Sequence, residues 1–204
     1  EWLQENPNDS ERDFARLQLG KIHFRFDRPQ VAEETLSPIP PSSRLYGPAR
    51  SLMGQALFQR MLRYQEKNAS AQAADLAPRI AKYHQEALQY SLTEKESQIS
   101  NYQAGYTLYQ KNQFNEALPF WESYLETAEP SKETEDIRYR VATIHQSQQN
   151  WLQAEQRYGE YATSSLDLPE ENKAQATFWW GEVAFQRAAE QLEASSNSDT
   201  LDSA

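Results

Sequence analysis

The chain has 204 residues, with 30 Asp+Glu against 20 Lys+Arg, a formal net charge of −10 and no cysteine. The missing cysteines exclude disulfide scaffolds, thiolate metal sites and thiol nucleophiles, and the acidic balance argues against nucleic acid and anionic membrane surfaces, which need concentrated Lys and Arg. A mean hydropathy of −0.89 would suit disorder, but 5 Trp, 11 Tyr and 8 Phe would not, because disordered segments are poor in aromatics.

The opening Glu1-Trp2-Leu3 carries no Met, and the expectation is either a removed leader or a piece of a longer protein. No apolar run approaches the 18 residues of a membrane span. Hairpin turns and period-2 runs are nearly absent, whereas helix starts are frequent. Helices are expected over 11–25, 29–36, 45–66, 71–91, 94–110, 114–127, 132–147, 151–163 and 169–194. Ser10 opens the first, and Ser37-Pro-Ile-Pro-Pro-Ser-Ser43 breaks the chain after the second. Residues 44–92 read as an irregular helical hairpin, with Leu52, Leu57 and Met61 on one helix and Leu76, Ile80 and Tyr83 on the next. Thr93 with Glu96 is a capping-box pattern. Ser131 opens another acidic first turn, and Pro169 stands at a first helical position before Glu170 and Glu171. The segment 195–204 reads as a polar, frayed tail.

Within this order one helix pair is written twice, 37 residues apart: Tyr102, Gly105, Leu108, Phe114, Ala117, Trp121 and Tyr124 recur as Tyr139, Ala142, His145, Trp151, Ala154, Tyr158 and Tyr161. Lys111-Asn112 and Gln148-Gln149-Asn150 supply the turns. Weaker units occupy 11–36 (Leu17, Gly20, His23, Ala32, Leu36) and 169–194 (Phe178, Gly181, Ala184). A unit of this kind cannot bury its apolar face alone and stacks on its neighbours.

The small residue on each first helix (Gly105, Ala142), the aromatic opening each second helix (Phe114, Trp151) and the Ala-aromatic pairs (Ala117 with Trp121, Ala154 with Tyr158) resemble the tetratricopeptide (TPR) family. The likeness is clear over about 60 residues and weaker over most of the chain. It implies an all-α fold, a right-handed superhelical solenoid of helix-turn-helix hairpins spanning 1–194, with clear repeats at 94–130 and 131–168. The Gln/Asn- and Tyr-rich repeats are similar in composition to bacterial cell-envelope TPR proteins, which implies a periplasmic or envelope setting, with the cytoplasm as the alternative. The function so implied is a non-catalytic scaffold or adaptor that binds a peptide or helix of a protein partner in a concave groove. The negative charge would favour basic partners by steering. Two alternatives stand beside it: a helical accessory domain of a larger enzyme, such as a peptidoglycan-processing one, and a homo-oligomerisation module. In TPR proteins the groove is lined by the first helix of each pair, and helical phase puts Tyr102, Tyr106 and Tyr109 on one strip. The corresponding residues are Tyr139, Thr143 and Gln146, then Phe178, Glu182 and Phe185.

No zinc-protease, phosphate-loop or serine-hydrolase motif occurs, and no cofactor or metal is expected. His23 and His145 share one repeat position, which suits packing better than catalysis. The carboxylates at Glu33-Glu34, Glu133 to Asp136 and Glu170-Glu171 are expected on polar faces or at helix starts. Phe178-Trp179-Trp180 cannot face one groove together, since successive helical residues point about 100° apart.

Overall fold

The computed structural model describes residues 10–201, with side chains from 11 to 194; residues 1–9 and 202–204, assigned from sequence to the repeat domain and to the tail, lie outside it. Among the described residues the fold is all-α, with no strand. The helices are α1 (Ser10–Arg25), α2 (Pro29–Leu36), α3 (Tyr46–Glu66), α4 (Ser70–Ala87), α5 (Glu94–Gln110), α6 (Phe114–Leu125), α7 (Lys132–Ser147), α8 (Trp151–Ala162) and α9 (Glu170–Leu201). No helix among them is long and apolar enough to cross a membrane.

The first eight helices form four hairpins with one turn design. Asp27, Asn68, Asn112 and Gln149 adopt φ between 55° and 61°. This left-handed conformation reverses the chain after a helix, and Asn and Asp tolerate it better than most residues. In each turn the next amide closes back on the preceding helix: Arg28 on His23, Ala69 on Tyr64, Gln113 on Leu108 and Asn150 on His145, at 2.7 to 3.0 Å. Five residues after each left-handed residue stands a buried alanine (Ala32, Ala73, Ala117, Ala154) that brings the second helix close to the first. The hairpin over 44–92, irregular by sequence, therefore shares the turn of the others.

The size pairing inside the hairpins shows why it looked irregular. A Cβ on Gly20 would lie 2.5 Å from Leu36, and one on Gly105 would lie 2.3 Å from Trp121. Ala142 shares a core cluster with Ala154 and Tyr158. In all three the first helix is small and the second supplies the bulk. In the α3–α4 hairpin the sizes are exchanged, with Met61 on the first helix and Ala77 on the second, both in one cluster. The volume is conserved while the residue pattern is inverted.

The described residues divide into two compact units that part between Tyr124 and Leu125. The first holds α1 to α6. Its central element is α3, whose Leu52, Met53, Ala56, Leu57, Phe58 and Met61 are buried on several sides, as expected of a core helix. Leu17, Leu36 and Ile39 pack on its N-terminal half, and Ala73, Leu76 and Ile80 on its C-terminal half. A buried polar chain links α3, α4 and α5. Gln55 Nε2–H donates to Ser51 Oγ (3.2 Å), Ser51 and Ser100 hydroxyls lie 3.0 Å apart, and Ser100 lies 3.2 Å from His84 Nδ1. His84 Nε2 lies 2.9 Å from Gln103 Oε1. A neutral ring protonated at Nε2 satisfies every member in one direction. Enclosure holds that ring neutral and drives its pKa down to about 4, against a smaller opposing effect of Gln103.

The second unit holds α7 to α9 around Ala142, Ala154, Tyr158, Tyr161, Leu168, Ala176 and Val183. Here the carboxylate expectation holds in position, since Glu135 lies in the first turn of α7, but the side chain is buried and not solvated. Glu135 is only 2% exposed and pairs with Arg138, which also reaches Glu160 on α8 at 3.1 Å. Likewise in the first unit, Glu33 on α2 accepts from Arg79 and from the Tyr83 hydroxyl of α4. These acids brace helix to helix, because a carboxylate leaves water only when a cation replaces its hydration. Two of the capping expectations hold: Thr93 and Glu96 form a reciprocal capping box, and Ser131 accepts from the Thr134 amide.

Candidate functional site on the last helix

Gly181 aligns with Gly105 and Ala142, so α9 begins as another first helix. It starts at Glu170, so Pro169 precedes the first helical position expected for it and its carbonyl accepts from the Asn172 and Lys173 amides, while the acidic pair Glu170-Glu171 lies near the positive end of the helix dipole. Where the earlier hairpins turn, at Asn112 and Gln149, α9 has Ala188 within Arg187-Ala-Ala-Glu190. Alanine resists the left-handed conformation and has the highest helix propensity. The helix consequently runs on to Leu201, through most of the segment read from sequence as a tail. Propagation past 194 costs little once a helix is formed, and neither Gly nor Pro intervenes before Leu201. Its backbone does not fold back along α9.

One side of α9 is engaged. Ala176, Trp179 and Val183 enter the second unit's core. Arg187 Nε meets Glu155 Oε2 at 2.9 Å, and Trp151 Nε1–H donates to Glu190 at 2.6 Å. Trp180 stands over Gly159, where a Cβ would come within 3.0 Å of the indole. Beside this contact lies an open cleft of about 470 Å³ walled by Trp180, Leu152, Thr163 and the ion-paired Glu155 and Glu160.

The other side is open. Ala174, Phe178, Gly181, Phe185, Ala188 and Leu192 are all exposed, with Phe178 at 59%, Phe185 at 67% and Leu192 at 71%. A Cβ built on Gly181 meets nothing within 4 Å, whereas the equivalent socket of the α5–α6 hairpin is filled by Trp121. The six follow a strict 4-3-4-3-4 spacing, which keeps them on one stripe. That stripe is the surface that accepts a second helix in the earlier hairpins.

The nine candidate residues fall in different settings. In the first unit, Tyr102 and Tyr106 are half-buried and stack at 6.2 Å, both against the edge of Phe58. Tyr109 packs on Phe114 and Trp121 at 5.0 and 4.9 Å, inside its own hairpin. In the second unit, Tyr139 meets Tyr158 and Tyr161 at 5.5 and 5.3 Å, and desolvation raises its pKa. Gln146 accepts from the Tyr158 hydroxyl at 2.8 Å. Thr143 is exposed but donates to the carbonyls of its own helix. Phe178, Glu182 and Phe185 are exposed together on α9. Sequence reasoning missed Ala174, Ala188 and Leu192 as their companions. The signal was present in the small-large alternation at heptad spacing, which continues past the point where a turn was due.

Ser100 beside His84 has the components of a nucleophile and base, but both side chains are fully buried and act as a strut. No cluster of three or more potential metal ligands occurs among the described residues. No protein-family model matches the chain, and neither does any curated protein or solved structure.

Proposed function

We propose that this protein is a non-catalytic scaffold of TPR-like hairpins, stacked as a right-handed solenoid, that binds a helical segment of a protein partner. The observation that carries the reading is Gly181, an empty socket flanked by exposed Phe178 and Phe185 on the surface that earlier hairpins use to hold a helix. Helix-in-groove recognition reads residues at i, i+3, i+4 and i+7, which is the spacing this stripe presents. The segment it fits carries a small residue four positions before a bulky one, as Ala117 precedes Trp121 and Ala154 precedes Tyr158. Phe178, Glu182 and Phe185 are therefore the site residues carried forward; the rings of Tyr102 and Tyr106 pack against Phe58 of the preceding hairpin, and those of Tyr109 and Tyr139 lie inside their own hairpins. The composition of the repeats supports a bacterial envelope setting.

The test uses a fluorescently labelled peptide copying residues 150–164, the second helix of the preceding hairpin, titrated with the 204-residue protein and with Phe185→Glu. Fluorescence anisotropy should show binding to the wild type and at least about tenfold weaker binding to the variant, since removing a central aromatic anchor costs more than 1 kcal/mol. Equal binding by both, or none by the wild type with its helical circular dichroism intact, would refute a docking role for this face.

A further inference from the structure

We propose that the helix received by the open face of α9 is α9 of a second copy, docked antiparallel about a two-fold axis near Val183. This rests on the reading of α9 as a helix-docking face and names its occupant. In the α1–α2, α5–α6 and α7–α8 hairpins, a small residue on the first helix faces a second helix that carries a small residue four positions before a large one: Ala32 and Leu36, Ala117 and Trp121, Ala154 and Tyr158. Helix α9 combines both halves of that fit. It has the vacant socket at Gly181, and it carries the small-to-large step three times: Ala174 to Phe178, Gly181 to Phe185 and Ala188 to Leu192.

The order of the stripe reads the same in both directions with sizes exchanged. Antiparallel pairing centred on Val183 sets Gly181 against Phe185, Ala174 against Leu192 and Phe178 against Ala188 of the other copy. Every layer then holds one large and one small residue, which is how close-packed helices interdigitate. A two-fold axis requires one patch to be its own complement, and this patch is. Parallel pairing would oppose Phe to Phe and leave a void between the glycines.

Charge points the same way. The flanks of the stripe are Gln175, Thr177, Glu182, Ala184, Ala189 and Gln191, with one charge among six. Partner choice between different helices is set by charged flanks, and like charges there would repel a second copy. Near-neutral flanks permit self-pairing in a chain of net charge −10. The stripe from Ala174 to Leu192 spans roughly 28 Å at 1.5 Å per residue. Covering four Phe and two Leu with their small neighbours removes on the order of 1,000 Å² from water, the lower limit of a specific interface.

Sedimentation equilibrium of the 204-residue protein over about 1–200 µM tests this, alongside Phe185→Glu, Gly181→Phe and the exchange variant Gly181→Phe/Phe185→Gly. The wild type should approach twice 23.6 kDa. Phe185→Glu and Gly181→Phe should each weaken association at least about tenfold, the first by placing charge in the seam and the second by opposing Phe to Phe. The exchange variant should restore association, because each layer regains one large and one small residue. Gly181 points into open space, so a bulky residue there leaves the single chain's packing intact, as circular dichroism would verify. A wild type that stays monomeric at 200 µM overturns the inference; if it still binds the 150–164 peptide, the docking reading survives with a different occupant, and if it binds neither, both fall. Association that persists in Gly181→Phe, or that the exchange variant fails to restore, overturns the antiparallel pairing.

Discussion

At the scale of single residues, stability depends on a few positions where size or protonation is closely constrained. His84 is one. Its folded pKa lies near 4, below the ordinary 6.5, because the enclosed ring cannot be hydrated as a cation. As pH falls below 6.5 the unfolded chain takes up a proton that the folded chain refuses until about pH 4. Stability contributed by the neutral ring is therefore present above pH 6.5 and lost between 6.5 and 4, by about 3 kcal/mol in all. Urea titrations at pH 7, 5.5 and 4.5 should show this loss in the wild type and a flatter profile in His84→Gln. Gly105 is another. Alanine there would improve helix propensity by roughly 1 kcal/mol, but its methyl would lie 2.3 Å from Trp121, whose ring is walled in by Tyr109. The clash should win, and Gly105→Ala should lose about 1–2 kcal/mol net in thermal or urea unfolding.

At the scale of elements, the repeated unit is the hairpin, and its turn does the specifying. Three of the four left-handed residues are Asn or Asp, which accept that conformation; Gln149, at φ 61°, does so at a cost. Its side chain is exposed and no packing depends on it. Gln149→Gly should stabilise the second unit by about 0.5–1 kcal/mol, read as a higher urea midpoint with an unchanged slope. Helix α9 shows the converse. With Ala188 where a turn residue would stand, the chain continues as helix and the socket at Gly181 is left open. A local choice of two alanines thus creates the candidate binding face.

At the scale of the whole molecule, the dominant quantity is net charge. Two chains of −10 repel when they associate, and the stripe of α9 contributes no compensating ion pairs. Salt screens the repulsion while leaving apolar contact intact. Self-association should therefore strengthen as NaCl rises from about 20 to 300 mM, with the Debye length falling from roughly 20 Å to below 8 Å. Weakening over the same range would mean that ion pairs, not the apolar stripe, hold the copies together.

Much of this organisation was legible in the residues. The all-α class, the helix order, the capping box at Thr93 and the repeat from Tyr102 to Tyr161 follow from local propensity and periodicity, which act over a few turns. The α3–α4 hairpin escaped because Met61 and Ala77 exchange sizes, and packing conserves the volume of a pair, not the identity of a position. The turn residue with alanine five positions later, Asn68 and Ala73, was the visible trace of it. The candidate site divided in the same way. Phe178, Glu182 and Phe185 could be placed on one strip by helical phase, but phase says only which residues share a side. Whether that side is covered depends on contacts between helices far apart in sequence, and so only the tertiary structure decided that the tyrosines of α5 and α7 pack inward while the stripe of α9 remains open.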